Sequence, residues 1–241
     1  GDAAVEPEGH LGGLRQRYTT QRIWELEREA LAKTAEMAFR LDRGVAPEVV
    51  ISRVLDSRPA MKPDQEAMVR RLLGEGDGLV VVIGEAGTGK TYATTAAAEG
   101  WAAAGYELRA AAPTWRAANG LRSEGLDATS VAKLLSELDR AELQGRPALS
   151  SRSVLLVDEA GMVGSADLAR LIAHAEAAEA KLVLIGDPAQ LGEIEAGGLF
   201  AAIADRTDPI RLGEVIRQSH ELDREGARRI RMGEGAEALA I

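Results

Sequence analysis

The stretch LVVVIGEAGTGKT, residues 79–91, constrains the fold of this chain more than any other. An unbroken β-branched run suits a strand buried on both faces, and the loop after it has the spacing G-x-x-x-x-G-K-[ST] with a helix-forming stretch behind it. Gly84, Gly87 and Gly89 let the backbone turn tightly, so that successive N–H groups and the helix N-terminus face a phosphate with no side chain in the way. Gly84, Glu85, Ala86, Gly87, Thr88 and Gly89 then form the cradle. Lys90 reaches the β- and γ-phosphates of ATP, and Thr91 offers its hydroxyl to Mg2+. A glycine-rich strand-to-helix turn that binds nothing is the plainer alternative.

A strand of this kind needs neighbours, and the rest of the sequence supplies them. Short apolar runs at 79–83, 108–112, 153–157, 181–185 and 209–212 alternate with helical stretches, many of them alanine-rich, as βαβ units require. The expectation is an α/β fold: a parallel sheet flanked by helices, preceded by a small helical segment. Residues 1–13 read as a frayed leader, since they hold glycines and a proline without an apolar period. A helix is expected from Tyr18 to Gly44, capped by Thr19 or Thr20, a second over 47–55 and a third from Pro63 towards Leu73. The glycines of LGEGDG would stop the third. The corresponding division is residues 1–60 for leader and helices and 61–241 for the sheet domain.

The run SVLLVDEAGMV, residues 153–163, places Asp158 and Glu159 just past a buried strand, at the carboxyl edge where α/β sheets bind ligands. An acidic pair there also suits a helix N-terminus, whose dipole favours it. Beside a phosphate loop, Asp158 would hold magnesium opposite Thr91 and Glu159 would polarise the attacking water. The next strand ends in GDPAQL. Its Asp-Pro turn presents Gln190 where an amide could sense a γ-phosphate.

Composition narrows the class from the other side. With no cysteine and three histidines, disulfides, iron–sulfur clusters and thiolate zinc sites are excluded. The formal charge of −9 is the reverse of the usual footprint of a nucleic-acid-binding protein. No apolar stretch approaches the ~20 residues of a spanning helix, so no membrane segment is expected and the reading is cytoplasmic. The start at Gly1 and the helix-like run up to Ile241 give the expectation of a piece of a longer protein.

The ordered series GEAGTGKT, AAAPTWRAANGL, VLLVDEAGMV, VLIGDPAQL with AGGLF, and RLGEVIRQ resembles the first RecA-like motor lobe of superfamily 1 DNA helicases of the RecD-like group. With RYTTQRIWELEREAL ahead of it, the chain resembles more narrowly the helicase region of conjugative relaxases of the TraI/TrwC/TraA type. The resemblance implies that Gln65, 19 residues before Gly84, reads the adenine. It implies that Pro113, Thr114 and Arg116, with Thr129, hold single-stranded DNA, with Trp115 placed to stack on a base, and that Arg217 touches the γ-phosphate. As plain chemistry, Thr114 and Thr129 are helix caps, Gln65 and Arg217 are surface residues and Trp115 is a core candidate. The sequence departs from the group at Leu191-Gly192, where relatives tend to place a proline after the leucine.

The resemblance further implies an ATP-driven motor that translocates on single-stranded DNA and unwinds it in plasmid transfer, with ATP and ADP as ligands. A second motor lobe carrying an arginine finger and a relaxase domain would be its partners within a longer chain. Taken alone, the chain is expected to hydrolyse ATP weakly. The alternative of another class is a nucleotide- or single-stranded-DNA-binding module from a degenerate helicase copy; the intact set Lys90, Thr91, Asp158, Glu159 and Gln190 argues against it. A GTPase or small-molecule kinase is disfavoured by the lack of an N-K-x-D guanine signature.

Overall fold

A computed structural model of the chain describes residues 4–5, 19–84, 87–187 and 198–213. Two short strands, β1 (Ala4–Val5) and β2 (Thr19–Thr20), pair antiparallel ahead of helix α1 (Gln21–Ala38). The expected leader thus contains a paired segment at Ala4–Val5, and Thr19 and Thr20 are strand residues. A two-residue strand is too short to leave a periodicity in the sequence. Helices α2 (Glu48–Asp56) and α3 (Pro63–Gly74) follow within a residue or so of their expected bounds, with Pro47 just ahead of α2 and Pro63 opening α3. Proline suits these positions because the first helical N–H groups have no intrahelical partner.

The sheet begins at β3 (Leu79–Gly84), which leads into α4 (Lys90–Ala103). After it come β4 (Glu107–Ala112), α5 (Trp115–Ser123), β5 (Ala128–Ser130) and α6 (Val131–Leu143). The chain continues through β6 (Ser153–Val157), a 3-10 turn at Ala160–Met162, α7 (Ser165–Ala177), β7 (Lys181–Gly186), α8 (Leu199–Arg206) and β8 (Ile210–Leu212). The six strands lie in the order β5-β4-β6-β7-β3-β8, all parallel. Because β6 and β7 sit between β3 and β4, consecutive strands separate at the middle of the sheet. Ligands bind at such a crevice, outside the carboxyl ends of the strands.

Alternation along each strand feeds two cores. Val80, Val82, Val154, Leu156, Val183 and Ile185 face a layer built from α2, α3, α4 and α5. Leu79, Val81, Leu155, Val157, Leu182 and Leu184 face α1, α6, α7 and α8. Consecutive helices α1 and α2 therefore belong to opposite faces, and the chain between them crosses the amino-terminal edge of the sheet.

That crossing is secured by buried polar contacts. Trp101, fully buried in α4, donates its indole N–H to Gly44 O at 2.9 Å. Arg43 donates to the Glu179 carbonyl at 2.8 Å and to its carboxylate at 3.2 Å. Lys181, at the first position of β7 and with no exposed surface, donates to Glu75 O at 2.8 Å and Arg43 O at 3.3 Å. Burial disfavours its charge and pulls its pKa down to about 8, despite Asp77 and Glu75 nearby.

A pH dependence follows from Lys181. The folded-state pKa lies below the ordinary 10.5, so between about 8 and 10.5 the unfolded chain binds more protons and stability rises with pH. Below that window the full cost of the buried charge is present. Urea midpoints at pH 8 and pH 10 should therefore move in favour of the wild type relative to Lys181→Met, by up to ~1.4 kcal/mol per pH unit. A gap between the two proteins that does not change with pH would contradict the lowered pKa of the buried lysine.

Candidate nucleotide and nucleic-acid site

The phosphate loop turns as its glycines require. Gly87 has φ +83° and open space where a Cβ would stand, and Gly89, just before α4, has φ +82°. Lys90 is the first residue of α4, and its ammonium donates to the carbonyl of Gly84 across the loop. Thr91 follows on the same first turn, half-buried. Glu85 and Ala86 lie outside the described residues.

Gln65 reaches this loop from α3 and is 5% exposed. Its Oε1 accepts from the Lys62 N–H at 3.1 Å, and its Nε2 donates to the Thr88 carbonyl at 3.0 Å. Its neighbour Asp64 accepts from the Gly213 N–H at 3.0 Å, tying the start of α3 to the end of β8. Sequence reasoning missed this clasp. Its signal, an Asp-Gln pair in the first turn of a helix ahead of the loop, is indistinguishable in sequence from ordinary helix-start chemistry.

Opposite the loop, at the carboxyl end of β6, Asp158 accepts the Glu159 N–H at 3.0 Å while its own N–H donates to Ala111 O at 2.9 Å. Burial raises its pKa above the ordinary carboxyl value. The Glu159 charge adds to the rise, whereas the backbone hydrogen bond and the charge of Lys90 pull it back. Such a carboxylate gains from a cation brought next to it. Glu159 sits in the left-handed region at φ +51°, a conformation a residue with a Cβ adopts at some cost. Its carbonyl accepts from Met162 N at 2.9 Å, starting the 3-10 turn. Strain held at one residue of an acidic pair facing a phosphate loop is the kind that accompanies function.

At the carboxyl ends of β4 and β5 lie the other predicted residues. Thr114 caps α5, its hydroxyl accepting from Ala117 N at 3.1 Å. Trp115 is not a core residue: it is 54% exposed, with the Arg122 guanidinium 4.5 Å from its ring centroid. Pro113 is half-buried and Arg116 exposed. Thr129 pairs with Ala111 in the sheet, and the cap of α6 is Ser130, whose hydroxyl accepts from Lys133 N at 3.3 Å. The Thr129 hydroxyl oxygen is itself buried without a hydrogen-bond partner, so helix capping does not explain it. Gln190 and Arg217, and the Leu191-Gly192 departure with them, lie outside the described residues. Just past that stretch, Phe200 from AGGLF packs its ring on Gly186, where an added Cβ would stand 3.0 Å away.

Of the residues expected at a site, those described gather at the carboxyl edge of one sheet, with Gln65 reaching it from α3. The profile of a family described as AAA domain matches residues 60–241. The chain belongs to the AAA-domain family. Its relatives place this AAA domain among the RecD-like superfamily 1 helicases, in the region found in conjugative relaxases. The probable conjugal transfer protein TraA of Sinorhizobium fredii is 36% identical over 205 residues, 85% of this chain and 18% of that protein. The multifunctional conjugation protein TraI of Escherichia coli is 30% identical over 198 residues, covering 73% of this chain and 11% of that one. The RecBCD enzyme subunit RecD of Mycolicibacterium smegmatis is 31% identical over 252 residues, 91% and 44% of the two chains. The chain spans about a fifth of the length of the TraA relatives it matches. Among the described residues no helix is long and apolar enough to cross a membrane.

Proposed function

We propose that this chain is the first, ATP-binding lobe of a DNA motor in a conjugative relaxase-helicase, coupling Mg-ATP hydrolysis to translocation on single-stranded DNA and to unwinding in plasmid transfer. The observation that carries this reading is the shared edge. The phosphate loop follows β3, the acidic pair follows β6, and the Thr114 and Thr129 segments end β4 and β5.

Lys90 meets the β- and γ-phosphates, and the open loop at Gly87 receives them on backbone N–H groups. Thr91 and Asp158 hold magnesium, a donor set of hydroxyl and buried carboxylate that suits a hard divalent cation. Magnesium, when bound, offsets the charge on the phosphate oxygens. Glu159 takes the proton of the attacking water. Gln190 and Arg217 keep, from their motifs alone, the task of sensing the γ-phosphate. Movement comes from closure of this lobe on a second motor lobe, with a relaxase domain as a further partner in a longer chain.

DNA engages the opposite half of the edge through Pro113, Thr114, Arg116 and Thr129, with a base on Trp115. The test uses Thr129→Val, which removes the unpartnered hydroxyl and keeps the shape, beside Thr114→Ala. Each should weaken binding of a single-stranded oligonucleotide severalfold or more in fluorescence anisotropy and leave Mg-ADP affinity within about twofold. Thr114→Ala also loses a cap worth ~1 kcal/mol, so its melting point is read alongside. Unchanged DNA affinity in Thr129→Val would remove Thr129 from the track.

A further inference from the structure

Helices α6 and α7 run back from the carboxyl edge of the sheet, so their last turns come together towards its amino-terminal edge, on the face that carries Leu155 and Leu182. Asp139 and Glu142 stand one turn apart near the end of α6, and His174 stands in the last turn of α7. Among the described residues these three form a group of histidine and carboxylate side chains whose ligand atoms gather within 4.8 Å of one another. A helix C-terminus favours positive charge, and here two of them converge.

The two ring nitrogens of His174 have different surroundings. Nε2 lies 2.9 Å from Asp139 Oδ1, and the other carboxylate oxygen of Asp139 accepts from Arg170, which Asp167 also holds at 3.1 Å. The hydrogen bond with His174 keeps the Asp139 carboxyl below its ordinary pKa, against a rise from burial and with the help of Arg170. Asp139 is therefore an ionised acceptor, and Nε2 carries the proton. Nδ1 faces the Glu142 carboxylate at 3.8 Å. That is too long for a hydrogen bond, so a proton does not bridge the pair. It is close to the spacing of two ligands on one metal ion. Zinc bonds of ~2.0–2.1 Å to an imidazole nitrogen and ~2.0–2.2 Å to a carboxylate oxygen put those atoms roughly 3.4 Å apart at a tetrahedral angle. The Glu142 side chain is 76% exposed and can rotate to close the difference.

An imidazole held from behind by a carboxylate is the arrangement in which histidine ligates metals, because the second hydrogen bond sets the tautomer and raises the basicity of the ligating nitrogen. Arg170 fixes that carboxylate in turn. The group lines an open cavity of about 550 Å3, which leaves room for water as the remaining ligands.

We propose that His174 Nδ1 and the Glu142 carboxylate bind a divalent cation of the zinc class across the last turns of α6 and α7, with Asp139 and Arg170 as positioning residues. Imidazole nitrogen suits zinc, whereas magnesium takes oxygen ligands, so this site differs in chemistry from the one proposed at Thr91 and Asp158. It does not depend on the reading of the phosphate loop, which follows β3 at the opposite edge of the sheet. Bound there, the ion staples the ends of two helices that otherwise meet through their buried faces.

The test titrates the purified chain, untagged and stripped of metal, with Zn2+ by calorimetry near neutral pH. The wild type should take up one equivalent with a Kd of about 100 µM or tighter, and millimolar Mg2+ should not displace it. His174→Ala should abolish the uptake, Glu142→Gln should weaken it at least about tenfold, and Asp139→Asn should weaken it ~10–100-fold. His10→Ala and His220→Ala change the other two histidines of the chain and should bind as the wild type does. Excess Zn2+ should raise the melting temperature of the wild type and leave that of His174→Ala unchanged, since an ion that binds the folded chain stabilises it. Melting curves without metal check that each variant folds, and the exposed Glu142 gives the substitution least able to disturb packing. The site is overturned if the folded wild type takes up no zinc, if uptake survives in His174→Ala, or if it is lost in His10→Ala or His220→Ala. Displacement of the zinc by millimolar Mg2+ would also overturn it, because an imidazole ligand would then not be holding the ion.

Discussion

Lys90→Ala should abolish measurable Mg-ADP binding, whereas Glu159→Gln should leave it within about twofold. The contrast follows from where the two charges sit. Lys90 reaches across the loop to Gly84 O and is the cation next to the raised carboxyl of Asp158. Its removal takes away a charge-assisted contact to phosphate worth ~1.5–3 kcal/mol and leaves Asp158 without the charge that lowers its pKa. The second loss favours the protonated form of a proposed magnesium ligand, so the two add in one direction. Glu159 follows Asp158 at the end of β6, in a left-handed backbone conformation ahead of the 3-10 turn. The amide keeps the size and removes the basic oxygen, which as a general base accounts for ~10²–10⁴ in rate. Titration calorimetry with Mg-ADP and a phosphate-release assay with Mg-ATP read the two effects separately. Equal loss of nucleotide binding in both variants would contradict the assigned roles.

The same acidic pair shows why one part of the site was legible in the sequence and another was not. Chemistry carried by contiguous residues behind a buried strand, GEAGTGKT behind β3 and DE behind β6, can be read directly, because strand, turn and side chain are fixed locally. The five expected strands occupy their apolar runs to within a residue. Within the six-stranded sheet, the strand that was not expected, β5, has three residues and owes its existence to pairing with β4. Contacts between distant segments are another matter. Asp64 to Gly213, Gln65 to Thr88 and Arg58 to Tyr92 each join stretches brought together only by the order of strands in the sheet or by the packing of helices on its face. The acidic total of −9 misleads for a related reason: it measures long-range attraction and leaves open a narrow track of hydroxyls, amides and a few arginines along one edge.

Gly76→Ala should lower the melting temperature by roughly 6–12 °C while Gly74→Ala changes it little. LGEGDG reads in sequence as a helix stop, yet only its first glycine belongs to α3. Gly76 is buried where the chain leaving α1 crosses it: Arg43 N donates to Gly76 O at 2.9 Å, and Leu41 bridges Asp77. A Cβ on Gly76 would stand 1.8 Å from the Leu41 carbonyl oxygen. The obstacle is backbone, so no rotamer relieves it, and the two strands of chain must part. Parting them breaks the bridge and strains the link that carries the chain from the core on one face of the sheet to the core on the other. Overpacking of this kind costs ~3 kcal/mol, and in a domain of this size each kcal/mol moves the melting point by about 2–4 °C. Gly74 supplies the control, since its added Cβ would meet Ile51 Cδ1 at an ordinary 3.5 Å and alanine is the better helix residue. A thermal melt of the two variants decides the matter. If Gly76→Ala melts with the wild type, the crossing is not held by close backbone packing. If both variants fall equally, the cost lies in α3 rather than in the crossing.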